Sequence, residues 1–168
     1  PETLRPIEGL MPVTRHLPVW SADGRRLLVI AVIDGRQELR EIEVGSDVSR
    51  RLPVPAETPV YAAYPDRPDP MLVGNDGGEG RLRLALYDPS RPAWRELASI
   101  DDLALAKFDP QRKRVYFTRA SRPGLWSSDT DLRNVALVEA SQPYPVNYRN
   151  WAIGNGEVYL LARTASCA

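Results

Sequence analysis

Residues 27–33 are apolar at every position, with Leu27, Val29 and Ala31 on one side of an extended chain and Leu28, Ile30 and Val32 on the other. A strand carries such a run only when both of its faces are covered. Asp34-Gly35 follows. Both residues tolerate positive φ, so the pair predicts a two-residue hairpin turn of the type I′ kind. Residues 39–44 then alternate, which predicts Ile42 and Val44 inward and Glu41 and Glu43 outward. Gly45-Ser46-Asp47 turns the chain again, and residues 48–54 return as an outer, arginine-rich strand. With Val19-Trp20 ahead of the Asp23-Gly24 turn, this makes a four-stranded meander.

The unit recurs. Trp20, Tyr64, Phe108 and Trp151 stand 44, 44 and 43 residues apart. Each is followed by a turn and an apolar triplet, namely Leu28-Val29-Ile30, Met71-Leu72-Val73, Val115-Tyr116-Phe117 and Val158-Tyr159-Leu160. Strand-rich units of roughly 40–45 residues are the mark of propeller blades, and a four-stranded meander is what one blade looks like in sequence. The fold expected is therefore all-β: a β-propeller fragment of about three complete four-stranded antiparallel blades plus a partial fourth.

After a proline-rich lead-in over residues 1–18, where two short apolar pieces suit edge strands, the blades fall at about 19–55, 60–100, 103–140 and, cut short, 150–163. In the second, residues 81–87 alternate as a half-exposed strand and residues 94–97 form the outer strand. In the third, strands lie near 103–108, 115–118, 125–128 and 135–139. The fourth closes its hairpin at Asn155-Gly156. A rival reading of residues 90–108 is an amphipathic helix capped by Ser90, with Trp94, Leu97, Leu103 and Leu105 at loosely helical spacing. The repeat opposes it, because a fourth strand is due near Trp94 and a first strand near Leu105.

The run Trp20-Ser21-Ala22-Asp23-Gly24-Arg25-Arg26-Leu27, echoed by Phe108-Asp109-Pro110-Gln111-Arg112-Lys113-Arg114-Val115, resembles the TolB-like β-propeller repeat. That repeat has an aromatic, a Ser or Asp, a Pro or Ala, a turn of the Asp-Gly type, a basic residue and an apolar strand. The second unit departs in its turn, Arg67-Pro68-Asp69-Pro70, and the fourth keeps only the aromatic and the strand. Gly124-Leu125-Trp126-Ser127-Ser128-Asp129, with Tyr148-Arg149-Asn150-Trp151-Ala152, is similar more specifically to the C-terminal propeller of CadC-type winged-helix bacterial transcriptional regulators. That likeness implies a non-catalytic sensory or protein-interaction module whose DNA-binding domain lies outside this stretch. It would be periplasmic if the regulator spans a membrane and cytoplasmic otherwise. The propeller of a prolyl-oligopeptidase-type serine peptidase and a TolB-like periplasmic interaction propeller remain as alternatives.

Composition narrows the chemistry. The 22 basic and 22 acidic residues balance, which argues against gripping a phosphate backbone, a task for a basic face. No run reaches the roughly 18–20 apolar residues of a membrane helix. The single histidine, His16, stands in the lead-in and no Gly-x-Ser-x-Gly elbow is present, so a Ser-His-Asp triad and enzymatic activity are not expected. Cys167 is the one cysteine, so no disulfide can form within the chain. The glycine-rich residues 76–80 lack the Gly-Lys-Ser/Thr of a phosphate loop. Ser128-Asp129-Thr130-Asp131 lacks the glycine and glutamate of a calcium loop. No cofactor, metal or catalytic residue is assigned.

Function is then sought on loops, which carry it on rigid scaffolds. The connections that gather at one mouth of a propeller channel are here residues 56–59, Asp101-Asp102 and residues 141–149. They offer Asp101, Asp102, Tyr144, Tyr148 and Arg149 as candidate contacts for a protein partner or a small-molecule signal. Trp20, Tyr64, Phe108 and Trp151 are expected to pack between blades. Three and a half blades leave sheet edges open. Either residues 1–18 complete a small four-blade ring, or the ring is larger and is completed by other residues or by a second copy. The second is preferred because four blades leave little room for rings this large. For the fragment alone, two copies meeting edge to edge are expected.

Overall fold

A computed structural model describes residues 11–12, 18–21, 23–46, 48–54, 59–64, 71–76, 81–88, 94–139 and 151–160. Its regular elements are all strands: β1 (Met11–Pro12), β2 (Val19–Trp20), β3 (Arg26–Ile33), β4 (Arg36–Glu43), β5 (Ser49–Arg51), β6 (Pro59–Ala63), β7 (Met71–Asp76), β8 (Leu82–Asp88), β9 (Arg95–Asp109), β10 (Arg114–Arg119), β11 (Leu125–Asp129), β12 (Ala136–Glu139), β13 (Trp151–Gly154) and β14 (Glu157–Leu160). Every pairing is antiparallel. Of the helix weighed over residues 90–108, the described residues form none, and Arg95–Asp109 is one long strand.

The turns follow from their residues. Asp34 and Gly35 adopt φ of 50° and 75°, and Asn155 and Gly156 adopt 50° and 69°. Paired positive φ is the type I′ geometry that matches the right-handed twist of two flanking strands. The Ser or Asp that follows the repeat aromatic ties off the next turn. The Ser21 hydroxyl accepts the Arg26 amide at 2.9 Å and donates to the Asp23 carboxylate at 2.6 Å. In the equivalent place, Asp109 Oδ1 accepts the amides of Gln111 and Arg112 at 2.9 and 3.2 Å. Both residues are buried, so these bonds satisfy polar groups that would otherwise be costly to bury.

The first blade is ordered β3-β4-β5, and the inner edge of β3 is shared by two short pieces. β1 pairs with Val32 and Ala31, and β2 pairs with Leu28 and Leu27. Strands β6 to β12 form one continuous seven-stranded sheet. The join is β9, which pairs with β8 from Arg95 to Leu103 and with β10 from Leu103 to Asp109. It is the outer strand of the second blade and the inner strand of the third. The expected loop at Asp101-Asp102 is therefore strand. Asp102 takes φ of 64° and its carbonyl accepts the Ala120 amide at 2.8 Å. The register shifts beside it, between Thr118 and Arg119. A residue in the left-handed region opens a bulge that re-aims the strand without breaking the ladder, and Asp tolerates it. β13 and β14 form the hairpin of the fourth blade.

Three apolar layers separate the four blades. The first holds Leu28, Ile30 and Leu39 of blade one against Tyr64, Val73, Tyr87 and Trp94 of blade two. The second holds Leu82, Leu84, Leu86 and Ile100 of blade two against Val115 and Phe117 of blade three, with Phe108 packed alongside. The third holds Tyr116 and Leu125 of blade three against Trp151. Two expected patterns need correction. β8 is covered on both faces, since Leu84 and Leu86 face blade three while Ala85 and Tyr87 face blade one. On β4, Glu41 is buried and Val44 is 48% exposed. Glu41 shares its face with Leu39, which points to blade two, and Val44 lies beyond the strand in the turn.

Leu84 is fully buried in the second layer. Leu84→Ala is expected to lower unfolding stability by about 2–5 kcal/mol, from lost burial and the cavity left behind. Urea denaturation followed by far-UV circular dichroism checks this.

Candidate functional site

Of the expected contact residues, Tyr144, Tyr148 and Arg149 lie outside the described residues. Asp101 and Asp102 sit on β9, where the chain crosses from blade two to blade three. Asp101 is exposed and pairs with Arg83 Nε at 3.1 Å. Arg83 also holds Glu96 through a fork of 2.5 and 2.9 Å and reaches Ser99 Oγ at 2.9 Å. The Arg83 guanidinium keeps the Glu96 carboxyl below its ordinary range. Asp102 Oδ2 accepts the Ser121 hydroxyl and, at 3.4 Å, the Ser121 amide. Both carboxylates are thus engaged in holding the crossing. Beside them the Arg119 guanidinium lies 4.9 Å from the Trp126 ring and 5.4 Å from Phe117, a stacked arrangement for which the planar cation is suited.

The four repeat aromatics divide three to one. Tyr64 and Trp151 are 6% and 3% exposed, and Phe108 packs into the second layer. Each covers the blade before it. Trp20 does not: it is 57% exposed. It lies directly opposite Leu27, on the face of blade one that turns away from blade two. The same face also carries Val29, Ala31 and Ile42, which are buried, so the exposure is that of the Trp20 ring and not of the whole face.

Tyr64 is also the centre of a charged cluster, built on the buried Glu41, that periodicity alone did not reveal. Its hydroxyl donates to Glu41 Oε1 at 2.6 Å, and the Arg26 guanidinium lies 5.4 Å over its ring. Arg50 reaches Glu41 Oε2 from two nitrogens at 2.5 and 2.8 Å, and Arg26 approaches Oε1 at 3.5 Å. The signal was the register. Glu41 lies across from Leu28 and from Arg50, so an arginine and a glutamate meet on the face that Tyr64 covers. Asp23, Arg25, Arg26, Glu41, Glu43, Val48 and Arg50 wall a groove of about 420 Å³ at this end of the blade. Arg25, Glu43 and Val48 are exposed along it, with Val48 at 58%.

At the third junction, the Lys107 ammonium donates to the Trp151 carbonyl and sits 4.7 Å from the Trp151 ring. Burial pushes the Lys107 pKa down. Asp129, in the stretch weighed for calcium, closes its own turn. Its two oxygens accept the Arg133 amide at 2.7 Å and the Asn134 side chain at 2.8 Å. Among the described residues no three His, Cys, Asp or Glu side chains gather to hold a metal.

Outer edges differ in their protection. β5 carries Arg50 and Arg51, and the outer part of β9 carries exposed Arg95 and Glu96. Among the described residues β12 pairs only with β11; Val135 just ahead of it and its Leu137 and Val138 are 41%, 45% and 50% exposed.

The sequence matches no protein-family model and no curated protein. Its structure is similar to that of TolB from Acinetobacter baumannii, with a TM-score of 0.57 and 18% identity over 79% of this chain and 33% of that one. It is also similar to a putative TolB from Agrobacterium tumefaciens, with a TM-score of 0.60 and 14% identity over 83% and 55%. A third similar structure is that of a nidogen/laminin complex, with a TM-score of 0.57 and 12% identity over 77% and 49%. The chain thus has a TolB-like β-propeller fold, and it spans between 33% and 55% of the length of these structures.

Tyr64→Phe removes a hydrogen bond to a buried carboxylate and is expected to cost about 1.5–3 kcal/mol. Burial and the bond to Glu41 raise the Tyr64 pKa well above the ordinary tyrosine range. An unfolded tyrosine ionises near pH 10, so above about that pH the folded state retains a proton that the unfolded state releases. The stabilisation is complete below about pH 10 and is lost as pH rises beyond it. Denaturation between pH 8 and 11 should show the wild type losing more stability than Tyr64→Phe.

Proposed function

We propose that this chain is a non-catalytic protein-interaction module, and that β12 is the place where it takes an extended segment of a partner protein as an added strand. The observation that carries this reading is the contrast among the outer edges. Charged side chains blunt an edge strand against pairing; β5 and the outer part of β9 have two each, whereas β12 has Glu139 at its end and exposes Leu137 and Val138, with Val135 just ahead of it. Strand addition draws its affinity from backbone hydrogen bonds and its specificity from alternate side chains, and both are present on such an edge. That one similar structure is of a nidogen/laminin complex supports a protein partner for a propeller of this shape.

The resemblance of residues 124–129 and 148–152 to CadC-type regulators supports placing the module in a bacterial transcriptional regulator, where the bound segment would carry the signal. A winged-helix domain in the same reading frame is the expected companion, and a serine hydrolase domain there would count against the regulator.

Leu137 is half exposed, so Leu137→Lys should change stability by no more than about 0.5 kcal/mol while blunting the edge. Peptides selected from a displayed library on the wild-type chain should be extended and apolar, and should bind Leu137→Lys at least about ten-fold more weakly. Selected peptides that bind both chains equally would refute the assignment of the site.

A further inference from the structure

The groove beside Glu41 is built on the ends of three neighbouring strands. Arg25 and Arg26 come with β3, Glu41 and Glu43 with β4, and Val48 and Arg50 with β5. Its backbone is tied across these strands. The Val44 amide donates to the Arg25 carbonyl at 2.9 Å, and the Glu43 amide donates to the Val48 carbonyl at 3.1 Å. The frame that carries the groove's side chains is therefore fixed before any ligand arrives, which lowers the ordering cost of binding.

Several of the groove's charges are engaged in the fold. Glu41 accepts the Tyr64 hydroxyl and faces Arg26 and Arg50. Asp23 Oδ1 accepts the Ser21 hydroxyl at 2.6 Å and the Arg25 amide at 3.1 Å, and these bonds keep the Asp23 carboxyl below its ordinary range. Other groups are not engaged. The Arg25 guanidinium makes no hydrogen bond or ion pair with a described residue, and the Glu43 carboxylate has only the Ser46 hydroxyl, at 3.5 Å. Arg50 meets Glu41 through Nε and Nη2, while its side chain stays 66% exposed. Beside them Val48 is exposed. A ligand of single charge would be attracted by one of the free groups and repelled by the other. A molecule that carries both charges is attracted by both.

We infer that this groove binds a small zwitterion with an apolar body, a free apolar amino acid or a short apolar peptide. Its carboxylate lies on Arg25 and the outer side of Arg50, its ammonium on Glu43, and its apolar part on Val48. A planar guanidinium suits a carboxylate because it can donate two parallel N–H bonds. The groove's volume of about 420 Å³ falls in the range of small-molecule sites. The site is on blade one and the partner strand proposed above is on blade three, so each stands without the other.

Isothermal titration of the 168-residue chain with leucine and with leucyl-leucine tests it. N-acetyl-leucine, which lacks the ammonium, and leucine amide, which lacks the carboxylate, are the comparison probes. At least one zwitterion should bind with a Kd of about 1 mM or tighter, and the tighter of the two tells a free amino acid from a chain. Each singly charged probe should bind at least about five-fold more weakly. Arg25→Gln and Glu43→Gln, both at exposed side chains, should each weaken the zwitterion about ten-fold with unchanged circular dichroism. Arg36→Gln, at the exposed far end of β4, should leave binding as it is. No binding of either zwitterion up to about 10 mM, a singly charged probe that binds as tightly, or binding that survives Arg25→Gln or Glu43→Gln would each overturn the inference.

Discussion

Strands with apolar side chains on both faces cannot be buried by a single neighbour. β3 and β8 are such strands. On β8, Leu84 and Leu86 need one covering layer while Ala85 and Tyr87 need another. Hydrophobic burial is proportional to the area removed from water, so a sheet of this composition gains its full stabilisation only when it is sandwiched. Each blade therefore requires a blade on either side. At the three described junctions Tyr64, Phe108 and Trp151 meet the requirement, by reaching across to the sheet before them.

The apolar layers are not sealed by hydrocarbon alone. A charged group is set into two of the junctions, and in each it is matched to the ring that crosses. Glu41 meets the Tyr64 hydroxyl and the arginines at 26 and 50, while Lys107 meets the carbonyl and ring of Trp151. A buried charge is tolerated only where its partners are in place. These contacts give each junction a single register, since sliding one sheet over its neighbour would leave Glu41 or Lys107 unpaired.

The passage between the second and third blades shows how economically the chain moves from one layer to the next. β9 changes partner at Leu103, with Asp102 in the left-handed region and Ser121 holding its carboxylate. No loop is available there to carry contacts. What the described residues leave exposed lies elsewhere, at Leu137 and Val138 on β12, along the charged groove beside Glu41, and at the Trp20 and Tyr159 side chains.

The spacing of Trp20, Tyr64, Phe108 and Trp151 and the turn dipeptides Asp34-Gly35 and Asn155-Gly156 were enough to read strands, meanders and a stacked repeat, because period, turn conformation and apolar runs are local properties. The neighbour of each face is not local. Alternation assigned Glu41 to solvent and Val44 to the core, and only the register of β3, β4 and β5 against the Tyr64 face reversed them. It likewise took the three dimensions to separate Trp20 from its three counterparts: the same residue type in the same repeat position is core or surface according to whether another sheet stands beside it. A sequence specifies what each strand must hide, and the packing of one sheet on the next decides which of those demands the chain meets by itself.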